Sequence, residues 1–301
     1  VAALLLSMKA RLHGWLAQIR RLELDALLKL ALISVVVLPV LPNEGYGPGG
    51  ALNPYELWRA VVIVAGLSFF GYVAVRLGGA DLGLPLTGLF GGLASSTSTT
   101  LALARIVPGR PALAPLAAAG VVIAGSVTFL RILALVAIFE PRLVLPLAGP
   151  MGAMASTGLA GALVVHLLNG NGQASHDAVA GITNPLELTT ALTFGAVLAV
   201  VVVGIHYLDL WLGTGGVFAG AALSGVTDVD ALTISVSELV GDDLGVASGA
   251  VAIFIAVAVN TAVKGAISAV AGSRRLGLMV LPTYAAARSE EHTSELQSHA
   301  P

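Results

Sequence analysis

Apolar runs close to 20 residues long recur along almost the whole chain, and this spacing constrains the fold more than any motif does. A helix rises about 1.5 Å per residue, so about 20 apolar residues match the roughly 30 Å hydrocarbon core of a bilayer. The pattern predicts complete spans at about 24–41, 57–78, 84–104, 112–138, 143–168, 186–208, 212–238 and 246–270, and the start of another near Leu276. Composition agrees: 56% of the 301 residues are hydrophobic and 11% are charged, where soluble domains carry about 25% charged residues. The expected fold is therefore all-α, a polytopic transmembrane helical bundle of about eight spans with the lipid bilayer as its solvent.

The chain opens on Val1, and Val1 to Leu6 read as the end of an apolar segment that starts upstream. Lys9, Arg11, Arg20 and Arg21 then alternate with Leu12, Trp15, Leu16 and Ile19 at helical spacing, the pattern of an interfacial amphipathic segment. Residues 1–23 are thus expected to be a basic interfacial segment with the remnant of an upstream membrane domain. Cations beside a span are held on the cytoplasmic side, which places the amino terminus there together with Arg76, Arg142, Arg274 and Arg275. At the other end, RSEEHTSELQSH (Arg288 to His299) matches the in-frame translation of a common sequencing adapter. Residues 288–301 are expected to be an artefact and take no part in the functional argument, which leaves 276–287 as the start of a truncated span.

Laying the chain on itself reveals an internal repeat. Asn53-Pro54-Tyr55-Glu56-Leu57 matches Asn184-Pro185-Leu186-Glu187-Leu188 at an offset of 131. GLFGGLASSTSTTLALAR lies against GVFAGAALSGVTDVDALTIS, and Thr128 and Arg131 fall opposite Thr261 and Lys264 at an offset of 133. The reading is a duplication, 24–142 and 143–275, with four spans in each unit. An even number of crossings returns the chain to its starting side, so two parallel four-helix repeats are expected, with a site at their interface near mid-membrane.

Few polar residues interrupt the apolar runs, and these are the candidates for function. Asp228 and Asp230, with Ser224 and Thr227 beside them, stand within a predicted span. A carboxylate at the centre of a span costs at least about 2.5 kcal/mol, so the pair needs water, a cation or a basic partner. On a regular helix, residues two apart point to nearly opposite sides, and both could hold one metal ion only if the helix is broken there. Gly220 and Gly225 leave room for such a break or for a re-entrant hairpin. The competing reading is that one aspartate pairs with Lys264 and pins two helices together.

At the repeat-equivalent position run Ser95, Ser96, Thr97, Ser98, Thr99 and Thr100. These hydroxyls can replace the water shell of an ion or line a wet path, or they can serve only close helix packing. Arg131, Lys264 and Asn260 are polar residues inside apolar spans, and the cations need the aspartates or a bound anion as partners, or else snorkel to the interface. Asn53 and Asn184 with Glu56 and Glu187 read first as helix caps and dipole partners, with ion contact as the alternative.

Cysteine is absent, which excludes disulfides, thiolate catalysis and Cys-ligated metals. No Walker loop, nucleophile elbow or HExxH pair occurs, so neither an enzyme nor a resident cofactor is expected, and no nucleic-acid partner. The stretches LKLALISVVVLPVLPN, ALNPYELW, GGLASSTSTTLALAR, NPLELTTALTFG, SGVTDVDALTIS and NTAVKGAISA resemble the uncharacterised membrane domain that follows the MgtC-type domain in bacterial MgtC/SapB-family proteins. That resemblance implies a bacterial inner-membrane protein, a preceding MgtC-like domain missing from this fragment, and a link to magnesium transport. The combined expectation is a membrane transport protein for a small ion, either a divalent cation or a proton-coupled solute. The alternative is a non-transporting membrane regulator or scaffold that binds other membrane proteins.

Overall fold

The computed structural model describes residues 27–47, 50–78, 83–169, 188–241 and 244–280. The basic segment 1–23, Asn184, Glu187, the side chain of Arg76 and the tail 281–301 lie outside the described residues. Nine helices carry the described architecture: α1 (Leu27–Val40), α2 (Pro54–Gly78), α3 (Leu84–Ile106), α4 (Ala114–Phe139), α5 (Val144–Asn169), α6 (Leu188–Leu212), α7 (Thr214–Thr227), α8 (Val229–Leu239) and α9 (Val246–Ile267). Five segments are long and apolar enough to cross a membrane: Pro54–Val73, Pro111–Phe139, Pro141–Val165, Leu192–Leu212 and Val246–Gly272. They mark the chain as a membrane-embedded, all-helical protein.

Local chemistry sets the helix boundaries. Asn53 caps α2, its Oδ1 accepting from the N–H groups of Tyr55 (3.0 Å) and Glu56 (3.3 Å) ahead of a proline that has no N–H to satisfy. Glu56 sits in the first turn and pairs with Arg59 at 2.6 Å. Proline again opens the short turns Pro111–Leu113 and Pro141–Leu143 that lead into α4 and α5. In α1 the backbone widens to a π-helix over Leu32–Val37, and the Ile33 carbonyl accepts both from the Leu38 N–H and from Trp58 Nε1 at 2.9 Å, the second bond tying α1 to α2.

α4 is the most deeply buried of the five spans, with α3 packed along one side and α5 along another. Its small residues make this possible. A methyl group placed on Gly120 would lie 2.7 Å from the Leu84 carbonyl oxygen and 2.8 Å from Leu103 Cδ1. Leu84 and Leu103 belong to the first and last turns of α3. In a straight helix they would stand about 28 Å apart. Both touching one glycine means that α3 folds back on itself at Ser95, whose backbone is extended (φ −166°, ψ 106°).

This corrects one expectation. The region 84–104 is a helical hairpin rather than a single span, and it is absent from the five membrane-crossing segments. The parity argument for parallel copies, which needed four crossings per unit, loses its basis with it. The predicted span 212–238 is also interrupted: α7 ends at Thr227, Asp228 is extended (φ −152°, ψ 129°), and α8 starts at Val229.

Candidate functional site

The two breaks lie 133 residues apart, the same offset that relates Thr128 to Thr261 and Arg131 to Lys264. Each is built alike. Three residues before each break stands a glycine, Gly92 or Gly225, where a Cβ would meet the backbone of the following long helix, 2.7 Å from Ala124 Cα or 2.5 Å from the Ala256 carbonyl oxygen. After each break a polar side chain caps the next half-helix. Ser95 Oγ accepts from the Ser98 N–H at 3.3 Å, and Asp228 Oδ1 accepts from the Asp230 N–H at 2.8 Å.

Breaking a helix frees carbonyl oxygens that must be paired when buried. Side chains from the long helices supply the donors. Arg131 of α4 donates through one guanidinium nitrogen to the Leu93 carbonyl at 3.2 Å, and Asn260 of α9 donates to the Gly225 carbonyl at 3.1 Å. The other terminal nitrogen of Arg131 lies 2.6 Å from Asp230 Oδ2 and donates to Ser68 Oγ at 3.4 Å. Both partners of this ion pair are nearly buried, with side chains 8% and 12% exposed. Lys264 lies deeper still, at 2% exposure, and donates to Thr128 Oγ1 at 3.2 Å. That position is inside the bundle, whereas Arg274 and Arg275 are exposed.

A cavity of about 250 Å³ opens between the two breaks. Ser95, Ser96, Thr97 and Ser98 line it from α3, Thr128 and Arg131 from α4, Thr227, Asp228 and Asp230 from the α7–α8 junction, and Asn260 from α9. Val61, Val64, Ala65 and Ser68 of α2 and Phe194 of α6 complete the wall. Thr99 and Thr100, although part of the hydroxyl run, are fully buried away from the cavity, and Thr100 Oγ1 donates to the Ser96 carbonyl at 2.8 Å. Ser224 Oγ donates to the Asp228 carbonyl at 3.0 Å and supports the junction from behind. The break at Ser95 divides the hydroxyl run between the cavity wall and the buried interior.

The two carboxylates of the metal expectation each have a protein partner. Asp230 Oδ2 is engaged by Arg131 and Asp228 Oδ1 caps its own helix. No group of three or more His, Cys, Asp or Glu residues with metal-binding placement occurs among the described residues. Asn53 and Glu56 sit at the amino-terminal end of α2, engaged in capping and in the Arg59 pair, and take no part in the cavity.

Sequence reasoning missed Ser68, Phe194 and the Leu93 and Gly225 carbonyls. A lone serine in an apolar helix carries no periodic signal, and a backbone oxygen becomes a site element only once a break exposes it.

A protein from Aquifex aeolicus (strain VF5), described as "Uncharacterized protein", is 29% identical over 199 residues, covering 66% of this chain and 86% of its own length. No solved structure matches the chain. The family model described as "Domain of unknown function (DUF4010)" matches residues 62–272, from α2 through both breaks to the end of the π-turn after α9, and the chain belongs to that family.

Proposed function

We propose that this protein transports a small solute across the membrane and that the cavity between the two breaks is part of its path. The observation that carries the reading is convergence. Asp228 and Asp230 and the Ser95–Ser98 run, far apart in sequence and each costly inside a bilayer, meet at one cavity enclosed by apolar helices. Irregular backbone at membrane depth is tolerated where it lines such a space. Paired broken helices recur in secondary transporters, where half-helix ends hold solute and coupling ions.

Of the two transport expectations, a proton-coupled solute has the better support. A magnesium path needs several free oxygen ligands, and here the Leu93 and Gly225 carbonyls and one oxygen of each aspartate are already bonded to Arg131, Asn260 and a backbone N–H. The matching breaks and glycines support the duplication. With α3 folding back, the four crossings per unit on which a parallel relation rested are no longer there. The MgtC/SapB resemblance and the bacterial inner membrane fit this reading.

The test is flux through purified protein in liposomes under an imposed proton gradient. Asp228→Asn is expected to lower flux at least tenfold while the protein remains monodisperse and melts as the parent does. Equal flux in variant and parent removes Asp228 from the path. No flux of protons, divalent cations or small anions in the parent favours the regulator or scaffold reading.

A further inference from the structure

The balance of donors and acceptors around the cavity identifies the class of solute, an inference that rests on the transport reading above. Several acceptors are engaged. Arg131 holds the Asp230 carboxylate and the Leu93 carbonyl, Asn260 holds the Gly225 carbonyl, and Asp228 receives the Asp230 N–H.

Donors remain in surplus. The hydroxyls of Ser96 and Thr97 line the cavity with no hydrogen bond to the described residues. The break at Ser95 leaves the first N–H groups of the following half-helix without a partner one turn back. Beside them stands Arg131, more than nine-tenths buried and part of the cavity wall. Convergent N–H and O–H donors next to a guanidinium that cannot lose its charge fit a negatively charged, oxygen-rich ligand.

Charge then fixes a second component. The charged groups around Asp228 are Asp230 on α8, Arg131 from α4 and Lys264 from α9. Two acids and two bases cancel, so an added monoanion would leave the buried site one charge negative, and a proton on Asp228 would restore neutrality. We propose that the cavity binds a small oxyanion, a carboxylate or phosphate, on the Ser96–Thr97 turn beside Arg131, with a proton carried on Asp228. The proton joins a carboxylate oxygen of Asp228 as the anion enters and leaves it on the other side as the anion departs. No oxidant, reductant or covalent intermediate is involved.

The experiment uses the full chain in liposomes with an inward proton gradient, following radiolabelled phosphate, radiolabelled lactate and, separately, Mg2+. Accumulation of phosphate alone assigns the phosphate class, accumulation of lactate alone the carboxylate class, and either supports the proposal. The Ser96→Ala/Thr97→Ala double variant, which removes two small polar groups and leaves Arg131 and the aspartates in place, is expected to lower that uptake at least tenfold with parent-like unfolding. Undiminished uptake in the double variant overturns the site. Uptake of Mg2+ with neither anion overturns this inference and leaves the transport reading standing. Absence of all flux overturns both.

Discussion

Arg131 and Asp230 are the pair on which the cavity depends. Removing one member of a buried ion pair strands the other charge, at a cost of about 3–5 kcal/mol, whereas replacing both by apolar residues is often close to neutral. Arg131→Met or Asp230→Leu alone is therefore expected to destabilise the protein by about that amount, and the double variant by clearly less than the sum. Thermal unfolding in detergent measures this, and additive losses would show that the pair is not coupled.

Glu140, outside the spans, makes a pH prediction. The side chain of Arg142 donates to both Glu140 carboxylate oxygens at 2.7 Å and holds its pKa at about 2, below the ordinary 4.5. A depressed carboxylate stabilises the folded state fully above its unfolded pKa and stops doing so as pH falls through its folded pKa. Glu140→Gln should melt below the parent at pH 7, and the gap should close as pH falls from 4.5 towards 2. Arg142 also donates to the Val240 carbonyl at 3.0 Å, so the same pair steadies the turn after α8. The aspartates, Arg131 and the hydroxyl run were legible in the sequence because polar groups stand out against apolar spans. Ser68 was not, since a single hydroxyl satisfied by a distant guanidinium has no local signature.

Among the elements, α3 departs furthest from its hydropathy. Periodicity and run length report that a segment is apolar, not whether it continues or turns back, and so 84–104 read as a span. The fold-back needs Gly88, Gly92 and Gly120 at the crossing points, where any side chain would meet backbone. Gly120→Val is expected to cost at least the 1–3 kcal/mol typical of overpacking, since it must displace both the Leu84 carbonyl and Leu103. A distance measurement checks the shape itself. Leu86 and Arg105 are both exposed, and the natural chain has no cysteine, so spin labels at Leu86→Cys and Arg105→Cys report their separation directly. A hairpin predicts a distance well under the roughly 28 Å that a straight helix would give. The break at Asp228 was more accessible to sequence reasoning, because two carboxylates two residues apart cannot share one face of an intact helix.

For the whole molecule, the repeat offset carried the most information. It predicted that Asp228 and the hydroxyl run occupy equivalent places, and both line the same cavity. It could not give the relative orientation of the units, which depends on how many elements cross, and so on the hairpin that hydropathy conceals. On the transport reading this cavity communicates with water inside an otherwise apolar bundle. Single cysteines at Thr97 and at Val122, a fully packed position on α4, test it in reconstituted protein with a small charged thiol reagent. The account predicts rapid modification of Thr97→Cys and none of Val122→Cys. Equal inertness at both positions would contradict it.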